Sequence, residues 1–240
     1  MSGTVYLVGA GPGDPELLTV KAWRLLVTAD VVFHDRLISD AILGLPRRGV
    51  QVIDVGKQPG DVATRQDTIN ELLVTAAESH NSVVRLKGGD PFIFGRGAEE
   101  ARHLRAHGID VEIVPGITSA LGLLTSAGIP VTSRGVAGGF AVVTGQRATG
   151  ETDWSRYAAV DTLVILMGVR NRASIATALI AAGRRGAEST MFIERGTTST
   201  ERRVCSTLAE VADNTTVISS PAVWIIGAVT EHASVSLVNS

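Results

Sequence analysis

The sequence holds one cysteine, Cys205, among 240 residues. A single thiol excludes an internal disulfide and any metal centre built on several cysteines. Aromatic residues are scarce at 4%, so any local cluster of them carries information. Lysine is scarce as well: of 22 basic residues only Lys21, Lys57 and Lys87 are lysines, and the rest are arginines. Positive charge is not in excess, the formal net charge being −2. No global field exists to hold nucleic acid, and no nucleic-acid partner is expected. No apolar run approaches the ~20 residues that cross a bilayer, so no membrane partner is expected either. The segment 1–14 lacks the basic-then-apolar order of a signal peptide. These absences predict a cytoplasmic protein.

What is present suits a packed enzyme. Hydrophobic residues make up 45% and charged residues 19%, which is ample for a buried core and the reverse of a disordered composition. Twenty-six glycines against eight prolines point to tight strand-to-helix turns rather than linkers. The preference for arginine suits a polycarboxylate ligand, because the guanidinium fork matches a carboxylate; a codon bias in the host explains the same numbers. The pairs Arg47-Arg48, Arg184-Arg185 and Arg202-Arg203 read as solvated, with one pair available to face such a ligand.

Short β-branched runs alternate with helical patterns. Strands are expected at 4–8, 31–33, 51–55, 83–86 and 111–114, with helices over 17–29, 64–79 and 98–106. Glycine, serine and threonine crowd between Pro115 and Gly139. Beyond them come strands at 141–143, 162–167, 190–194 and 222–226, and helices at 172–182 and 208–212. The fold class expected is α/β: two α/β lobes, 1–115 and 116–240, with mostly parallel sheets and a cofactor cleft between them.

Gly9-Ala10-Gly11-Pro12-Gly13-Asp14 lies where a dinucleotide fingerprint would lie, after a strand and before a helix, and Asp35 stands where a ribose-binding acid would. Two details oppose that reading. Asp14 occupies the third glycine position and would repel a phosphate, and Pro12 removes a backbone donor. The loop suits an adenosine-bearing ligand without phosphate, as S-adenosylmethionine is; taken by itself, such a loop is more often a plain strand-to-helix turn.

The segment Arg85-Leu86-Lys87-Gly88-Gly89-Asp90-Pro91-Phe92-Ile93-Phe94-Gly95-Arg96-Gly97-Ala98-Glu99-Glu100 is the most specific. Gly88 and Gly89 let backbone approach a ligand closely. Asp90 can cap the turn or bond a ribose hydroxyl, and Phe92, Ile93 and Phe94 form a flat apolar patch. A capped helix start with a hydrophobic staple is the alternative. Together with Val8 to Pro15, Asp30 to Leu37, Val55-Gly56-Lys57, Val114 to Ala120, Gly128-Ile129-Pro130, Leu166-Met167-Gly168, Glu194 to Thr197 and Ser220-Pro221-Ala222, this block resembles the uroporphyrinogen-III C-methyltransferases of the tetrapyrrole methylase family over nearly the whole chain.

The resemblance implies a homodimer that binds S-adenosylmethionine folded between its lobes and releases S-adenosylhomocysteine. Carried over by motif, the cofactor would touch Pro12, Gly88, Gly89, Asp90, Ile93, Thr118, Ser119, Met167 and Gly196. Asp35 would accept a proton and Lys57 donate one, with Arg96 and Glu99 handling the substrate, uroporphyrinogen III. Two methylations, at C2 and C7, would give precorrin-2 for sirohaem or cobalamin, and no counterpart of a dehydrogenase–chelatase domain stands in the sequence to carry it further. The chain departs from the pattern at His34, where a tyrosine is usual, and at Ala98, Ser133 and Gln146. Core filling is the competing reading of Met167, and turn capping that of Asp35. No metal is expected, the five histidines lacking metal spacing. Rival readings are another precorrin methyltransferase, a nucleotide-dependent oxidoreductase, an RNA methyltransferase and a silent tetrapyrrole-binding module.

Overall fold

In the computed structural model the described residues are 2–56, 66–146, 150 and 152–234, with side chains described through residue 231. They divide into two compact units, Met1–Ser119 and Ala120–Ser240.

The first unit alternates β1 (Thr4–Gly9), α1 (Val20–Thr28), β2 (Val31–His34), α2 (Asp40–Leu43), β3 (Gln51–Asp54), α3 (Gln66–Ser79), β4 (Ser82–Lys87), α4 (Gly97–Ala106) and β5 (Asp110–Val114). The strands form one sheet in the order β3-β2-β4-β1-β5, parallel at every pairing. Parallel strands joined by crossover helices are covered on both faces, which is why β4 reads as a nearly continuous buried run. Side-chain alternation assigns the two faces. Val5, Leu7, Phe33 and Val83 meet Ile69 and Leu73 of α3 and Leu104 of α4 on one side. Val8, Val32, Val84 and Leu86 meet Leu26 of α1 and Ile42 of α2 on the other. Each such side chain contributes about 1.5–3 kcal/mol on burial, and Leu104→Ala would cost about 2–5 kcal/mol through the cavity it leaves.

α1 starts three residues later than the apolar spacing predicts. Pro15–Leu17 form a separate 3-10 turn, opened by Asp14, whose Oδ1 accepts from the Glu16 amide at 2.9 Å. Thr19 then caps α1 by accepting from the Ala22 amide at 3.1 Å.

The second unit contains α5 (Ser119–Ser126, which begins at the boundary), β6 (Phe140–Thr144), β7 (Thr162–Leu166), α6 (Arg172–Ala181), β8 (Ser189–Glu194), β9 (Arg202–Thr207), α7 (Leu208–Ala212) and β10 (Ala222–Ile226). Its sheet runs β6-β7-β10-β8-β9. Here the expectation of a mostly parallel sheet does not hold. Only β6 and β7 are parallel, whereas β10 runs antiparallel to β7 and β8, and β9 antiparallel to β8. The connection 195–201 contains no crossover helix, and a connection that short returns a strand antiparallel to the one before it. Leu123 and Leu124 of α5 cover one face against Val164, Ile193 and Ile225. On the other, Ile175 and Leu179 of α6 and Leu208 and Val211 of α7 cover Leu163, Phe192 and Trp224. Trp224 stacks on Phe192 with ring centroids 5.0 Å apart and donates its indole N–H to Thr190 Oγ1, so the buried ring leaves no donor unpaired.

In two of the arginine pairs one member departs from the solvated reading, Arg184 and Arg203, while Arg185 and Arg202 are exposed as expected. Arg184 is buried, donating to Glu188 at 2.8 and 2.5 Å and to the Val160 carbonyl at 2.8 Å. Arg202 grips the buried Glu194 through two bonds of 2.8 and 2.6 Å, and Arg203 donates to Glu201 and to the Ala127 carbonyl. Their charges are spent inside the second unit. Among the described residues no helix is long and apolar enough to cross a membrane.

Candidate active site

The carboxyl ends of β1, β4 and β5 deliver three loops to one place, the end of a parallel sheet where ligands characteristically settle. The loops are clasped by backbone. The Ala10 amide donates to the Lys87 carbonyl at 2.8 Å, and Gly11 and Gly89 exchange N–H···O bonds of 3.1 and 2.8 Å. The approach depends on missing side chains: a Cβ on Gly116 would stand 2.3 Å from Gly89 O and 2.7 Å from Gly9 Cα. Asp90 braces the same place, its Oδ1 accepting from the Phe92 amide at 2.8 Å and its Oδ2 from the Gly116 amide at 3.1 Å. Asp90 therefore does cap the turn, with further lone pairs left on each oxygen.

Of the sequence-predicted cofactor residues, Pro12, Gly88, Gly89, Asp90, Ile93, Thr118 and Ser119 all fall on these loops. A Cβ on Gly89 would touch Ser119 N at 3.4 Å and Thr118 Cα at 3.5 Å, whereas Gly88 faces open space. Phe92, Ile93 and Phe94 are 53%, 41% and 43% exposed, an apolar patch left bare rather than a staple folded into the core. Phe94 and Arg96 both have positive φ, a conformation uncommon for residues with side chains and concentrated at ligand sites. The first glycine loop leads into the 3-10 turn at Pro15–Leu17, not directly into a helix. It thus presents no helix N-terminus to a pyrophosphate, and the dinucleotide reading loses its anchor.

Beside these loops stands a buried charge network. Asp35 follows β2 with its side chain 36% exposed, and its Oδ1 accepts from the Arg85 guanidinium. Its Oδ2 lies 4.0 Å from Lys87 Nζ. Glu100 Oε1 in turn accepts from Arg85 Nε at 3.3 Å, Lys87 Nζ at 2.9 Å and Gln66 Nε2 at 3.0 Å. Arg85, Lys87 and Glu100 are all buried. Burial pushes the Lys87 ammonium below its ordinary pKa, with the neighbouring Arg85 charge acting the same way and Glu100 and Asp35 opposing. Asp35 is the carboxylate of the network that solvent reaches, and its side chain is engaged by Arg85 rather than by a turn cap.

Sequence reasoning named Asp35 but passed over Arg85, Lys87, Glu100 and Gln66 as its supports. The signal was two cations inside the apolar run Val83-Val84-Arg85-Leu86-Lys87, since buried cations require partners. Arg96 and Glu99 are brought together, but as an exposed pair one helical turn apart, with a 2.7 Å contact that holds the Glu99 carboxyl below its usual pKa. Lys57 lies outside the described residues. Gly56, just before it, packs so closely on Arg36 that a Cβ would come within 2.4 Å of the Arg36 amide nitrogen. His34, the departure from the family's tyrosine, is buried and donates from Nδ1 to the Asp35 carbonyl at 3.0 Å, bracing the backbone of Asp35 from the strand side. Ala98 is exposed on the first turn of α4. Ser133 bridges Ala137 through backbone, and the Gln146 amide donates to Thr144 Oγ1 at 3.1 Å.

In the second unit Met167 and Gly196 follow β7 and β8. Both strands run antiparallel to β10, so the two residues stand at the same end of the sheet. Met167 is 48% exposed with φ 56°, which removes the core-filler reading. Gly196 sits between the left-handed residues Arg195 and Thr197, and a Cβ there would stand 2.6 Å from Leu123 Cδ2.

The histidines need one correction. His103 and His107 are four residues apart, so they share a face of α4, and Glu71 of α3 stands beside them. That is metal spacing, contrary to the expectation.

Two α/β units with glycine-clasped loops and no phosphate anchor fit one class of methyl-transferring proteins, and the comparisons agree: residues 4–212 match the family described as Tetrapyrrole (Corrin/Porphyrin) Methylases, and the chain belongs to it. It is 47% identical over 234 residues to a siroheme synthase of Stutzerimonas stutzeri, covering 95% of this chain and 50% of that protein. The chain thus spans about half the length of the first curated relatives it matches. It is 43% identical to a uroporphyrinogen-III C-methyltransferase of Methanocaldococcus jannaschii over 95% of this chain and 97% of that one. A Thermus thermophilus uroporphyrin-III C-methyl transferase, solved with S-adenosylhomocysteine, superposes with a TM-score of 0.86 at 48% identity, covering 96% and 94% of the two chains.

Proposed function

We propose that the chain is an S-adenosylmethionine-dependent C-methyltransferase that methylates uroporphyrinogen III at C2 and C7, giving precorrin-2 and S-adenosylhomocysteine. The observation that carries the reading is Asp35, a carboxylate partly open to solvent and fixed by buried cations next to the glycine-clasped loops. Identity over nearly full length with proteins named for this reaction supports it.

The residues fit the methyl donor. Gly88 leaves room for close approach, and Ile93 and the two phenylalanines give an adenine an apolar face. Asp90 retains lone pairs for ribose hydroxyls, and Pro12, Gly89, Thr118 and Ser119 line the same loops; Met167 and Gly196 are assigned to the cofactor by their motifs. S-adenosylmethionine supplies an electrophilic methyl group. A reduced pyrrole carbon is already nucleophilic, so the protein's main contribution is alignment. Attack on the methyl expels S-adenosylhomocysteine and leaves a quaternary ring carbon with the positive charge on the ring nitrogen, and the macrocycle regains neutrality by losing a proton from another of its atoms. Asp35 accepts it, because a carboxylate accepts protons and an arginine side chain does not give its own up. Lys57 is assigned to proton donation, and Arg96, with Glu99, to holding a substrate carboxylate. The active species is a cytoplasmic homodimer whose product feeds sirohaem or cobalamin synthesis.

The test is direct. Purified protein is incubated with S-adenosylmethionine and uroporphyrinogen III under reducing, anaerobic conditions, and the product is weighed by mass spectrometry. Two added methyls support the reading. A protein that takes up S-adenosylhomocysteine in calorimetry but adds no methyl to uroporphyrinogen III sinks the substrate assignment. Failure to bind S-adenosylhomocysteine sinks the cofactor assignment as well.

A further inference from the structure

The α3–α4 pair carries a second cluster, beyond the residues of the charge network along the same two helices. His103 and His107 lie one helical turn apart on α4, their rings stacked with centroids 4.4 Å apart and an interplanar angle of 28°. Glu71 on α3 brings Oε1 to 3.2 Å from His103 Nε2. One ligand atom from each of the three lies within 4.8 Å of the other two.

The protonation pattern suits coordination. His107 Nδ1 stands 2.9 Å from the His103 carbonyl. A carbonyl only accepts, so Nδ1 carries the hydrogen and the Nε2 lone pair of the neutral ring is free to bind a cation. That bond also fixes the ring's orientation, the part a second-layer partner plays in metal sites. His103 Nε2 is shielded from solvent, and despite its distance from Glu71 it forms no hydrogen bond of acceptable geometry among the described residues. A shielded imidazole nitrogen facing a carboxylate without a hydrogen bond is under-used as it stands, and a shared cation would satisfy both.

We propose that Glu71, His103 and His107 form a binding site for a divalent transition cation of the zinc class, which ties α3 to α4. Two imidazole nitrogens and one carboxylate oxygen favour zinc, copper or nickel over magnesium or calcium, which take oxygen ligands. Bonds of ~2.0–2.2 Å to zinc place tetrahedral ligand atoms ~3.4 Å apart, nearer than the 4.8 Å that bounds the cluster, so binding requires a movement of side chains that draws the ligand atoms together. Glu71 is mostly exposed and is free to make it. Three protein ligands leave water to complete the shell. The site lies where α3 and α4 cover the Leu73–Leu104 side of the first sheet, and a cation there binds the folded state but not the unfolded one, which stabilises by mass action.

The experiment uses the full chain without a histidine tag, stripped with a chelator, and titrates zinc chloride by calorimetry and thermal melting with magnesium chloride as the control. The expected result is one equivalent of zinc bound, no response to magnesium, and a melting temperature raised by ~5–11 °C at a hundredfold excess over the dissociation constant. His107→Gln and Glu71→Gln, both at exposed positions, should each weaken zinc binding at least tenfold while melting normally without metal. Cobalt substitution gives a second readout, visible d–d absorption that the His107→Gln variant loses. An unmodified chain that ignores zinc overturns the proposal and leaves Glu71 and His103 as an ion pair only. Zinc binding that survives both substitutions unchanged overturns it too, since the cation would then sit elsewhere.

Discussion

Glu100 accepts a hydrogen bond from Lys87 at 2.9 Å with both side chains buried, and the second carboxylate oxygen of Glu100 has no hydrogen-bond partner among the described residues. Glu100 is thus the counter-charge that lets Arg85 and Lys87 stand inside a sheet, and Arg85 is what holds Asp35. Breaking a buried ion pair by removing one partner costs about 3–5 kcal/mol. Glu100→Gln should lower the free energy of unfolding in urea by that amount. An unchanged urea midpoint would mean that the carboxylate is not what neutralises the two cations.

The same network makes a pH prediction. Burial, helped by Arg85, lowers the folded-state pKa of Lys87 below its ordinary 10.5. Between that lowered value and 10.5 the unfolded chain holds the proton and the folded chain does not. Stability rises with pH wherever the unfolded state binds more protons, so this group's penalty is full below the lowered pKa and fades as pH climbs from there towards 10.5. Urea midpoints of the wild-type chain and Lys87→Met, compared from pH 8 upward, should show this alkaline gain in the wild type alone. Parallel curves would contradict the assignment.

Asp35→Asn keeps the shape of the side chain and its contact with Arg85 while removing the proton acceptor. Turnover with uroporphyrinogen III should fall by about 10²–10⁴, the usual worth of a general base. S-adenosylhomocysteine affinity, measured by calorimetry, should move less than twofold, because the glycine-clasped loops are untouched. Full turnover in the variant would move the proton-accepting role to another group.

Met167 is strained and half exposed, a combination that a purely structural residue has little reason to keep. A non-glycine residue in the left-handed region costs about 1–2 kcal/mol, and glycine gives back about 0.5–1 kcal/mol through the flexibility of the unfolded chain. Met167→Gly should therefore raise stability by about 0.5–1 kcal/mol while weakening S-adenosylhomocysteine binding. A variant that gains stability and keeps its affinity would take Met167 out of the binding set.

How much of this was legible follows from what each residue's neighbours in sequence could say. The parallel sheet of the first unit was readable because both faces are covered, so runs such as Val31-Val32-Phe33 need apolar residues at consecutive positions. β9 was not: Arg202-Arg203-Val204-Cys205-Ser206-Thr207 is a polar edge strand whose arginines are held by Glu194 and Glu201, and edge strands carry charge to avoid further pairing. α5 hid in a stretch of glycine, serine and threonine around Pro115 to Gly139. Asp35 was found through the motif that surrounds it. Its supports were missed because Arg85 and Glu100 meet across fifteen residues, and Glu71 and His103 across thirty-two, separations that no local pattern encodes.

The loop clasp is the feature on which ligand binding depends most. Gly9, Gly89 and Gly116 converge so closely that a methyl group on Gly116 would sit 2.3 Å from Gly89 O. The atoms in the way are backbone, so neither can swing aside as a side-chain tip could. Gly116→Ala must push the β5 loop away from β1 and β4, stretching the 3.1 Å bond from the Gly116 amide to Asp90 and loosening the exchange between Gly11 and Gly89. Overpacking of this kind costs about 1–3 kcal/mol in stability. Affinity should suffer more, because Thr118 and Ser119 ride on the displaced segment while Gly89 and Asp90 are braced against it. The expected outcome in calorimetry is at least a tenfold loss of S-adenosylhomocysteine affinity in a chain that still unfolds cooperatively. A variant that folds and binds as the wild type does would place the ligand away from these loops.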